Sequence, residues 1–412
     1  MRPLKFLAKQ GAAWESSCLH VYSQRLPWAS GANSLSRLIE EKRARGAPLL
    51  DLTVSNPTEV FDDYPHEAIR SAYSCISDFM CRPHPFGEPE AREAIARWYA
   101  QQGIVIAPEQ IVLTANSSEA YALLFKLFCD PGDEIVAPFP SYPLFEFLAG
   151  LESVRMVPYR LHYDGAWFID FSTLRDAISS RTRAIIVVNP NNPTGSFLKE
   201  FERDELLATA RAREIPIISD EVFMNYSFGD ARGRVSTMVG CDSGLSFSLN
   251  GLSKAAGMPQ VKLGWIAING PAAAQQIARD RLEIVLDTYL SVGTPVQRAL
   301  PALLEAGAMI RRQIAMRVER NLHELDRMLE GSSAHRLHFE GGWSAILQLP
   351  NSRAEEEWAT RLVEQQGVIV QPGYFFDMAT EPHVILSLLT APEVFDAGVR
   401  ALAAVIDQRS RC

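Results

Sequence analysis

The sequence predicts an α/β protein in which a large domain, with a mostly parallel sheet sandwiched by helices, is joined to a smaller α+β domain. The chain has 412 residues, of which 47% are hydrophobic, enough for a large core and a second domain. Short runs rich in β-branched residues recur between helical patterns over about residues 110–270. These runs do not alternate apolar with polar residues, which is typical of strands buried on both faces. The alternation of strands and helices favours a doubly wound sheet.

Six apolar runs supply the predicted strands of the large domain: QIVLTA, DEIVAPF, RAIIVVN, IPIISD, LSFSLN and VKLGWIAI. Helical patterns lie between the strands at residues 117–128, 143–151 and 199–214. We therefore expect strand and helix to succeed each other along this part of the chain.

The smaller domain is predicted from both ends of the chain. Residues 295–331 keep helical spacing despite Pro301, so this helix can connect two domains. After it, SAILQLP and HVILSLL are predicted strands, with helical EEEWATRLVEQQG between them. The expected division is an N-terminal extension at 1–33, a small domain at 34–60 and 296–412, and a large domain at 61–295.

Composition excludes several classes of protein. The formal net charge is -9, and no block of lysines and arginines stands out, so we expect no nucleic-acid partner. No apolar run approaches the roughly 18–20 residues that cross a bilayer, so we expect no membrane span and a cytoplasmic location. The first 20 residues lack the apolar region of a secretion signal and are expected to be a loose extension rather than a transit segment.

The cysteines predict free thiols in a reducing compartment and no metal site. None of them forms a CxxC pair or has zinc-ligand spacing. The six are Cys18, Cys75, Cys81, Cys129, Cys241 and Cys412.

Polar residues follow the predicted strands, where ligands bind in open α/β sheets. In ANSSEA, Asn116, Ser117 and Ser118 stand between a strand and a helix. A helix N-terminus carries partial positive charge and free N–H groups, which suit a phosphate. The alternative is an ordinary helix cap.

Two further strand ends carry candidate ligand groups. NPNNPTG, at 189–195, is a rigid turn that can aim the amide of Asn192 into the crevice, although a plain surface turn is the alternative. Asp220 ends IPIISD, and a buried carboxylate needs a cation such as a protonated pyridine nitrogen. Its alternative role is to cap a loop.

Two lysines stand eight positions apart in the apolar stretch SLNGLSKAAGMPQVKLGW. A buried ammonium is costly unless it meets an anion or loses its proton. Lys254 follows a strand, and a desolvated amine there is the nucleophile that makes a Schiff base with an aldehyde. Lys262 precedes a strand and can neutralise a phosphate. The alternative is a surface lysine with a buried stem.

Taken together, these groups fit an aldehyde-bearing, phosphorylated pyridine. Tyr142, in PFPSYP, adds an aromatic ring that can stack on one face of that pyridine. The set occurs in order on one predicted sheet, which makes it far more specific than any single member.

On these motifs the sequence resembles the class I/II aminotransferases of the aspartate aminotransferase superfamily, which are fold type I enzymes dependent on pyridoxal 5'-phosphate. The resemblance runs over about residues 35–408 and is carried by LTANSSEA, PGDEIVAPFPSYP, NPNNPTG, SDEVF, LSKAAGMPQVKLGW and PHPFGEPEAREAIARWY. The resemblance implies a homodimer. It implies that Lys254 forms the Schiff base and transfers the proton. It further implies that Asp220 binds the pyridinium nitrogen, Asn192 the phenolic oxygen and Tyr142 the ring face, and that the phosphate is bound by Asn116, Ser117, Ser118 and Lys262.

Three departures from the family pattern affect the cofactor site. Phe223 stands where the family usually has a tyrosine that hydrogen-bonds the phenolic oxygen. Lys262 replaces a common arginine, keeping the charge but losing the bidentate fork. Cys81 replaces a tyrosine that reaches the neighbouring subunit's phosphate, and Arg82 beside it can substitute.

A fourth departure affects the substrate. Ile385 stands where the family usually has the arginine that binds the substrate carboxylate, and no arginine occurs between Arg361 and Arg400. Either another residue, with Arg25 and Arg82 as candidates, binds the carboxylate, or the substrate is not a standard α-amino acid.

The resemblance therefore predicts an aminotransferase that moves an amino group between an amino acid and a 2-oxo acid. The first alternative is a lyase that performs β-elimination, or other pyridoxal-phosphate chemistry on the same scaffold. A sensor domain of a transcription regulator is disfavoured, because the roughly 30 residues before SLSRLIEE are too few for a helix-turn-helix domain. A nicotinamide oxidoreductase is disfavoured because no GxGxxG follows a strand. A cofactor-free binding protein is the remaining alternative.

Overall fold

The computed structural model describes residues 23–26, 33–78, 80, 82–378, 380 and 382–407. Most of the predicted extension, together with Cys18, Cys81 and Cys412, lies outside these residues. The helices are α1 Ser34–Ala44, α2 Pro57–Val60, α3 His66–Ser74, α4 Pro89–Ala100, α5 Ser117–Phe128, α6 Phe145–Leu151, α7 Phe171–Ala177, α8 Glu200–Ala212, α9 Leu252–Ala255, α10 Ala272–Tyr289, α11 Thr294–Met328, α12 Glu355–Gln366 and α13 Pro392–Asp407.

The strands of the described residues fall into three sheets, of eight, four and two strands. They are β1 Leu50–Asp51, β2 Ile111–Thr114, β3 Glu134–Phe139, β4 Arg155–Tyr163, β5 Trp167–Ile169, β6 Thr182–Val188, β7 Ile217–Asp220, β8 Ser246–Gly251, β9 Gly264–Asn269, β10 His335–Arg336, β11 Ser344–Gln348, β12 Val368–Ile369, β13 Gln371–Pro372 and β14 His383–Ser387.

The eight-stranded sheet has the order β2-β9-β8-β7-β6-β3-β4-β5. Its central strands β8, β7, β6, β3 and β4 pair in parallel, while β9 is antiparallel to both β2 and β8. Every residue of β2, β7, β8 and β9 is buried, as expected of strands covered on both faces. The predicted α/β fold with a mostly parallel sheet is confirmed.

The hairpin of β4 and β5 was not among the predicted strands. It forms the edge of the large sheet, and β4 exposes several of its side chains. Because one side of an edge strand faces solvent, its sequence lacks the continuous apolar run that marks the central strands.

A smaller assembly is built from the ends of the chain. Strands β10, β11, β14 and β13 form a four-stranded antiparallel sheet, and β1 pairs in parallel with β12. The 35-residue helix α11 runs through Pro301 without a break, as predicted, and packs against both α9 and α13. It therefore joins the two assemblies. Of the predicted thiols, Cys75, Cys129 and Cys241 are free.

Candidate active site

Asp220 is a buried carboxylate at the carboxyl end of β7, with 6% of its surface exposed. Tyr121 Oη donates a hydrogen bond of 3.0 Å to its Oδ2, and Val222 N donates one of 3.2 Å to its Oδ1. Burial raises the pKa of Asp220 to about 6, because no lysine or arginine among the described residues forms an ion pair with it. A cation brought to this carboxylate would stabilise its charged form.

Lys254 lies in α9, directly after β8, and its side chain is partly buried. Burial lowers the pKa of its amine to about 8, and the nearby Asp220 carboxylate acts in the opposite direction. The two groups therefore share one site. Two bonds hold α9 in place: Tyr226 Oη donates to Lys254 O at 2.7 Å, and Arg311 Nη1 donates to Ala255 O at 2.6 Å. A sizeable fraction of the amine is neutral, and hence nucleophilic, near pH 8.

Tyr142 lies close to the Asp220 carboxylate. Burial and that carboxylate raise the pKa of Tyr142 to about 12, so the phenol stays protonated at neutral pH. Its ring meets the Phe145 ring edge-on, with 5.6 Å between centroids. The predicted aromatic group is therefore beside the predicted carboxylate.

The three asparagines of the turn NPNNPTG have different roles. Asn189 Nδ2 donates to Val235 O at 2.8 Å, and the Asn191 side chain bonds Thr194 and Ser141. These two asparagines hold the turn together. Asn192 accepts only a long bond of 3.4 Å, from Ser344 Oγ, and its amide nitrogen has no partner in the described part of the chain. The amide of Asn192 thus remains available to a ligand.

The N-terminus of α5 provides backbone donors. Asn116 caps the helix by accepting a bond of 2.9 Å from Glu119 N, so its side chain serves the capping role that was the alternative reading. The N–H groups of Ser117 and Ser118, in the first turn, have no partner within the helix. These donors lie at the positive end of the helix dipole and suit an anion.

Lys262 lies two residues before Gly264, the residue of β9 that packs against this helix end. A Cβ added to Gly264 would lie 3.0 Å from the backbone carbon of Asn116, so the start of β9 packs directly on the cap. Lys262, two residues earlier, is exposed and has a left-handed φ of 60°. Lys254 is thus partly buried, whereas Lys262 is exposed, so water solvates the Lys262 ammonium when no ligand is bound.

The structure also shows the surroundings of Ile385, where the sequence departs from the family pattern, and of the two arginines suggested as substitutes. Ile385 is 1% exposed and packs in an apolar cluster that includes Ile346 and Phe375. Arg25 Nη1 donates to Leu151 O at 3.2 Å, and Arg82 is exposed. None of the bonds of these two arginines within the described ranges reaches Asp220 or Lys254. Cys81 lies outside the described residues.

Two residues of the site escaped the sequence analysis. Tyr121 bonds Asp220, and Trp343 lies with its ring centroid 4.3 Å from Lys254 Nζ. Tyr121 belongs to the helix that begins within ANSSEA and lies on its buried face, so the apolar spacing of that helix could have indicated it. Nothing in the local sequence of Trp343 points to a lysine 89 positions earlier (343 minus 254).

Residues 50–397, well over half of the chain, match the family described as "Aminotransferase class I and II". The chain belongs to this family. Among curated relatives of this family member, the glutamate-pyruvate aminotransferase AlaA of Escherichia coli (strain K12) is 29% identical over 269 residues, which is 65% of each chain. Human tyrosine aminotransferase is 26% identical over 380 residues, covering 88% of this chain and 82% of that enzyme.

Solved structures agree on the fold of this family member. An alanine aminotransferase from Pyrococcus furiosus superposes with a TM-score of 0.84 at 24% identity, covering 94% of this chain and all of the other. A mutant of Thermus thermophilus aspartate aminotransferase gives a TM-score of 0.78 at 25% identity, covering 93% and 99%.

The residues present fit the cofactor of the family, pyridoxal phosphate. A buried carboxylate without a cation suits a pyridinium nitrogen, a partly buried amine of lowered pKa suits an aldehyde, and a helix N-terminus beside an exposed lysine suits a phosphate. Within the described ranges, no group of His, Cys, Asp and Glu side chains is arranged to hold a metal ion.

Proposed function

We propose that this family member is a pyridoxal-phosphate-dependent aminotransferase that moves an amino group between an amino acid and a 2-oxo acid, with Lys254 as the Schiff-base residue. The observation that carries the proposal is the pair of Asp220 and Lys254. A buried carboxylate with a raised pKa and an amine with a lowered pKa share one site, and each lacks an ion-pair partner among the described side chains.

Each remaining group then has a defined task. Pyridoxal phosphate, when bound, supplies an electron-withdrawing ring that acidifies the Cα–H of an attached amino acid. Asp220 would keep the ring nitrogen protonated, because a cation there removes the penalty of burying the carboxylate. The free amide of Asn192 would donate to the ring oxygen, and Tyr142 would cover one ring face.

The phosphate is assigned to the N-terminus of α5. The N–H groups of Ser117 and Ser118 would donate to its oxygens, and Lys262 would supply a positive charge. Asn116 contributes by fixing the helix cap. These residues would hold both ends of the cofactor, leaving the Lys254 amine to react with its aldehyde.

Lys254 is also the proposed acid–base group. Its pKa of about 8 is close to physiological pH, so the amine could accept the proton from Cα of a bound amino acid and later release it. Such proton transfer contributes roughly 10²–10⁴-fold to a rate. This step requires the amine to be neutral when it accepts the proton.

We infer further that the protein is a cytoplasmic homodimer without membrane or nucleic-acid partners. No helix within the described ranges is both long and apolar enough to cross a bilayer. Large apolar side chains are exposed at Met80, Tyr289 and Leu290, and Tyr289 and Leu290 line a groove together with Arg82. A second copy of the chain would cover them. Light scattering of the purified protein tests the proposed dimer, and a monomer at micromolar concentration would contradict it.

A lyase is the second candidate, favoured by two observations. The Arabidopsis thaliana protein named S-alkyl-thiohydroximate lyase SUR1 is 30% identical over 206 residues, which is 48% of this chain and 44% of that protein. Ile385 also replaces the arginine expected for a substrate carboxylate. In this alternative, Lys254 removes the Cα proton and a group on Cβ departs.

A panel of amino acids separates the two candidates. With an added 2-oxo acid as acceptor, amino transfer yields a new amino acid and no free ammonia, whereas elimination needs no acceptor and releases ammonia together with an oxo acid in every turnover. Lys254→Ala should abolish either reaction, and Lys126→Ala, which removes an exposed lysine paired with Glu152, should not. A protein that takes up no pyridoxal phosphate, or a Lys254→Ala variant that turns over at the wild-type rate, contradicts the proposal.

A further inference from the structure

A tryptophan from the small assembly covers the reactive lysine of the large one. The Trp343 ring centroid lies 4.3 Å from Lys254 Nζ, and the Phe223 ring centroid lies 5.4 Å from the same atom. Trp343 is only 3% exposed, so its indole occupies the space beside the amine that water would otherwise fill.

The indole is fixed by its aromatic neighbours. Its ring meets Phe223 edge-on with 4.9 Å between centroids, and it lies 5.3 Å from the Tyr226 ring. Tyr226 in turn donates to the backbone oxygen of Lys254 at 2.7 Å. The same tyrosine thus contacts the indole and anchors the helix that carries the amine.

The backbone before Trp343 is fixed as well. Gly342 N donates to Tyr226 O at 2.9 Å, and Gly341 pairs with Ser227 in an isolated bridge. A Cβ on Gly341 would lie 2.6 Å from Tyr226 O, so only glycine allows this approach. The segment therefore has little freedom to move the indole away from the lysine.

A buried ion cluster attaches the same segment to the loop of Asn192. Glu340 is 6% exposed, and its Oε2 accepts bonds from Phe197 N at 2.8 Å and Lys199 Nζ at 2.6 Å. Its Oε1 faces Arg234 Nε at 3.5 Å. One carboxylate is thus held by two cations and a backbone donor. Charge-assisted bonds of this kind are about twice as strong as neutral ones.

We propose that Trp343 is a positioning residue of the reaction, which excludes water from the Lys254 amine and is itself held by Glu340. The inference rests on the proposed function only in taking Lys254 as the reactive amine. The indole has two opposing effects on the charge of Lys254. Its π face stabilises the ammonium, whereas its exclusion of water destabilises the ammonium. Burial is the larger influence on Lys254, so opening the site to water should raise its pKa from about 8.

The test is the titration of Lys254 in the full-length chain freed of cofactor. Trace acetylation with acetic anhydride over a range of pH, followed by mass spectrometry, reports the fraction of neutral amine. In Trp343→Ala the midpoint should rise by about one pH unit, which is about a tenfold loss of neutral amine at pH 7. Trp343→Phe, which is less disruptive if the alanine variant fails to fold, should give a smaller rise.

Matched controls separate positioning from general loss of packing. Trp358 belongs to the same small assembly and is also 3% exposed, but its indole nitrogen donates to Pro350 O, and the rings that lie near Lys254 Nζ are those of Trp343 and Phe223. Trp358→Ala should therefore leave the Lys254 midpoint unchanged. Glu340→Gln should raise the midpoint, whereas Glu355→Gln, which alters a buried carboxylate bonded to His383 N, should not.

An unchanged or lowered midpoint in both Trp343 variants overturns the inference, and so does an equal rise in Trp358→Ala. The titration requires no turnover, so it is independent of the proposed reaction. A raised midpoint in a protein that transfers no amino group refutes the proposed function and leaves the role of Trp343 intact.

Discussion

Tyr121 Oη donates a 3.0 Å hydrogen bond to Oδ2 of Asp220, joining the helix after β2 to the end of β7. The same helix begins at Ser117 and Ser118, whose N–H groups are assigned to the phosphate. One rigid element therefore sets the distance between the anion-binding end of the site and the carboxylate. Tyr121 is 1% exposed, so water cannot replace its hydroxyl.

Tyr121→Phe should weaken cofactor binding in a pH-dependent way. The hydrogen bond favours the ionised carboxylate, so its loss raises the pKa of Asp220 further above about 6. A bond to a charged group contributes about 1.5–3 kcal/mol, which corresponds to a loss of about tenfold to a hundredfold in affinity. Absorbance titrations with pyridoxal phosphate should show a larger loss at pH 6 than at pH 8.

Tyr159→Phe is the matched control for this measurement. Tyr159 is equally buried, but its hydroxyl donates to the neutral oxygen of Ile186 at 3.0 Å. Loss of this hydrogen bond should lower the free energy of unfolding without making cofactor affinity depend on pH. Equal losses for Tyr121→Phe at both pH values would count against the role assigned to the Asp220 charge.

Asp220→Asn should change how the stability of the cofactor-free protein depends on pH. The pKa of Asp220 is raised from 3.8 to about 6 in the fold, so the ionised form destabilises the native state. This penalty is absent below about pH 4 and is complete above about pH 6, where it amounts to about 3 kcal/mol. The variant cannot ionise and escapes it.

Urea unfolding at pH 4, 5.5 and 7 measures this effect. The stability of Asp220→Asn relative to wild type should rise across that range, on top of a constant offset from the new amide. Glu221, whose pKa burial raises to about 7, is present in both proteins and cancels. A difference that stays flat with pH would show that Asp220 is not desolvated as described.

Lys262→Gly and Lys262→Ala should separate the charge of this residue from its backbone. Both remove the exposed ammonium, so both should weaken pyridoxal phosphate binding by about tenfold. Binding of pyridoxal, which lacks the phosphate, should not change. Only glycine relieves the left-handed φ of 60°, so Lys262→Gly should be more stable than Lys262→Ala by about 1 kcal/mol.

Thermal unfolding and absorbance titration report these two quantities on the same samples. A glycine variant no more stable than the alanine variant would contradict the backbone strain. An alanine variant that loses pyridoxal affinity as strongly as pyridoxal phosphate affinity would contradict the phosphate assignment.

Ile385→Arg should destabilise the protein rather than supply a missing substrate contact. The isoleucine is 1% exposed among apolar side chains, and an unpaired buried guanidinium costs more than about 3 kcal/mol. Ile385→Leu, the control of similar volume, should cost less than about 1.5 kcal/mol. Chemical denaturation gives both values. A stable arginine variant with a lower KM for an amino acid would show instead that the site readily accepts the contact.

The fold was largely predictable because its central strands are covered on both faces. Runs such as RAIIVVN are apolar throughout, and each of the six became a strand of the large sheet. The β4–β5 hairpin escaped because its exposed side chains interrupt the apolar pattern. Local pattern thus reveals buried strands better than edge strands.

The site was predictable where a residue follows its own strand. Asp220 and Lys254 each stand at such an end, and the sheet brings them together. Tyr121 and Trp343 were not predictable, since their roles depend on how a helix and a distant strand pack. The sequence predicted different roles for the two lysines of SLNGLSKAAGMPQVKLGW, but it gave no sign of the left-handed backbone at Lys262, whose side chain is exposed.

The pairing of β2 with β9 also bears on how the chain acquires its cofactor. These are the first and last strands of the large sheet along the chain, and Thr114 pairs with Gly264 across 150 positions (264 minus 114). Pairing over such a separation carries a loop-closure cost that slows folding. During synthesis, Ser117 and Ser118 leave the ribosome before Lys254 and Lys262 exist. The proposed set of cofactor ligands is therefore complete only after β9 has been made, and binding by the full set would stabilise the finished domain.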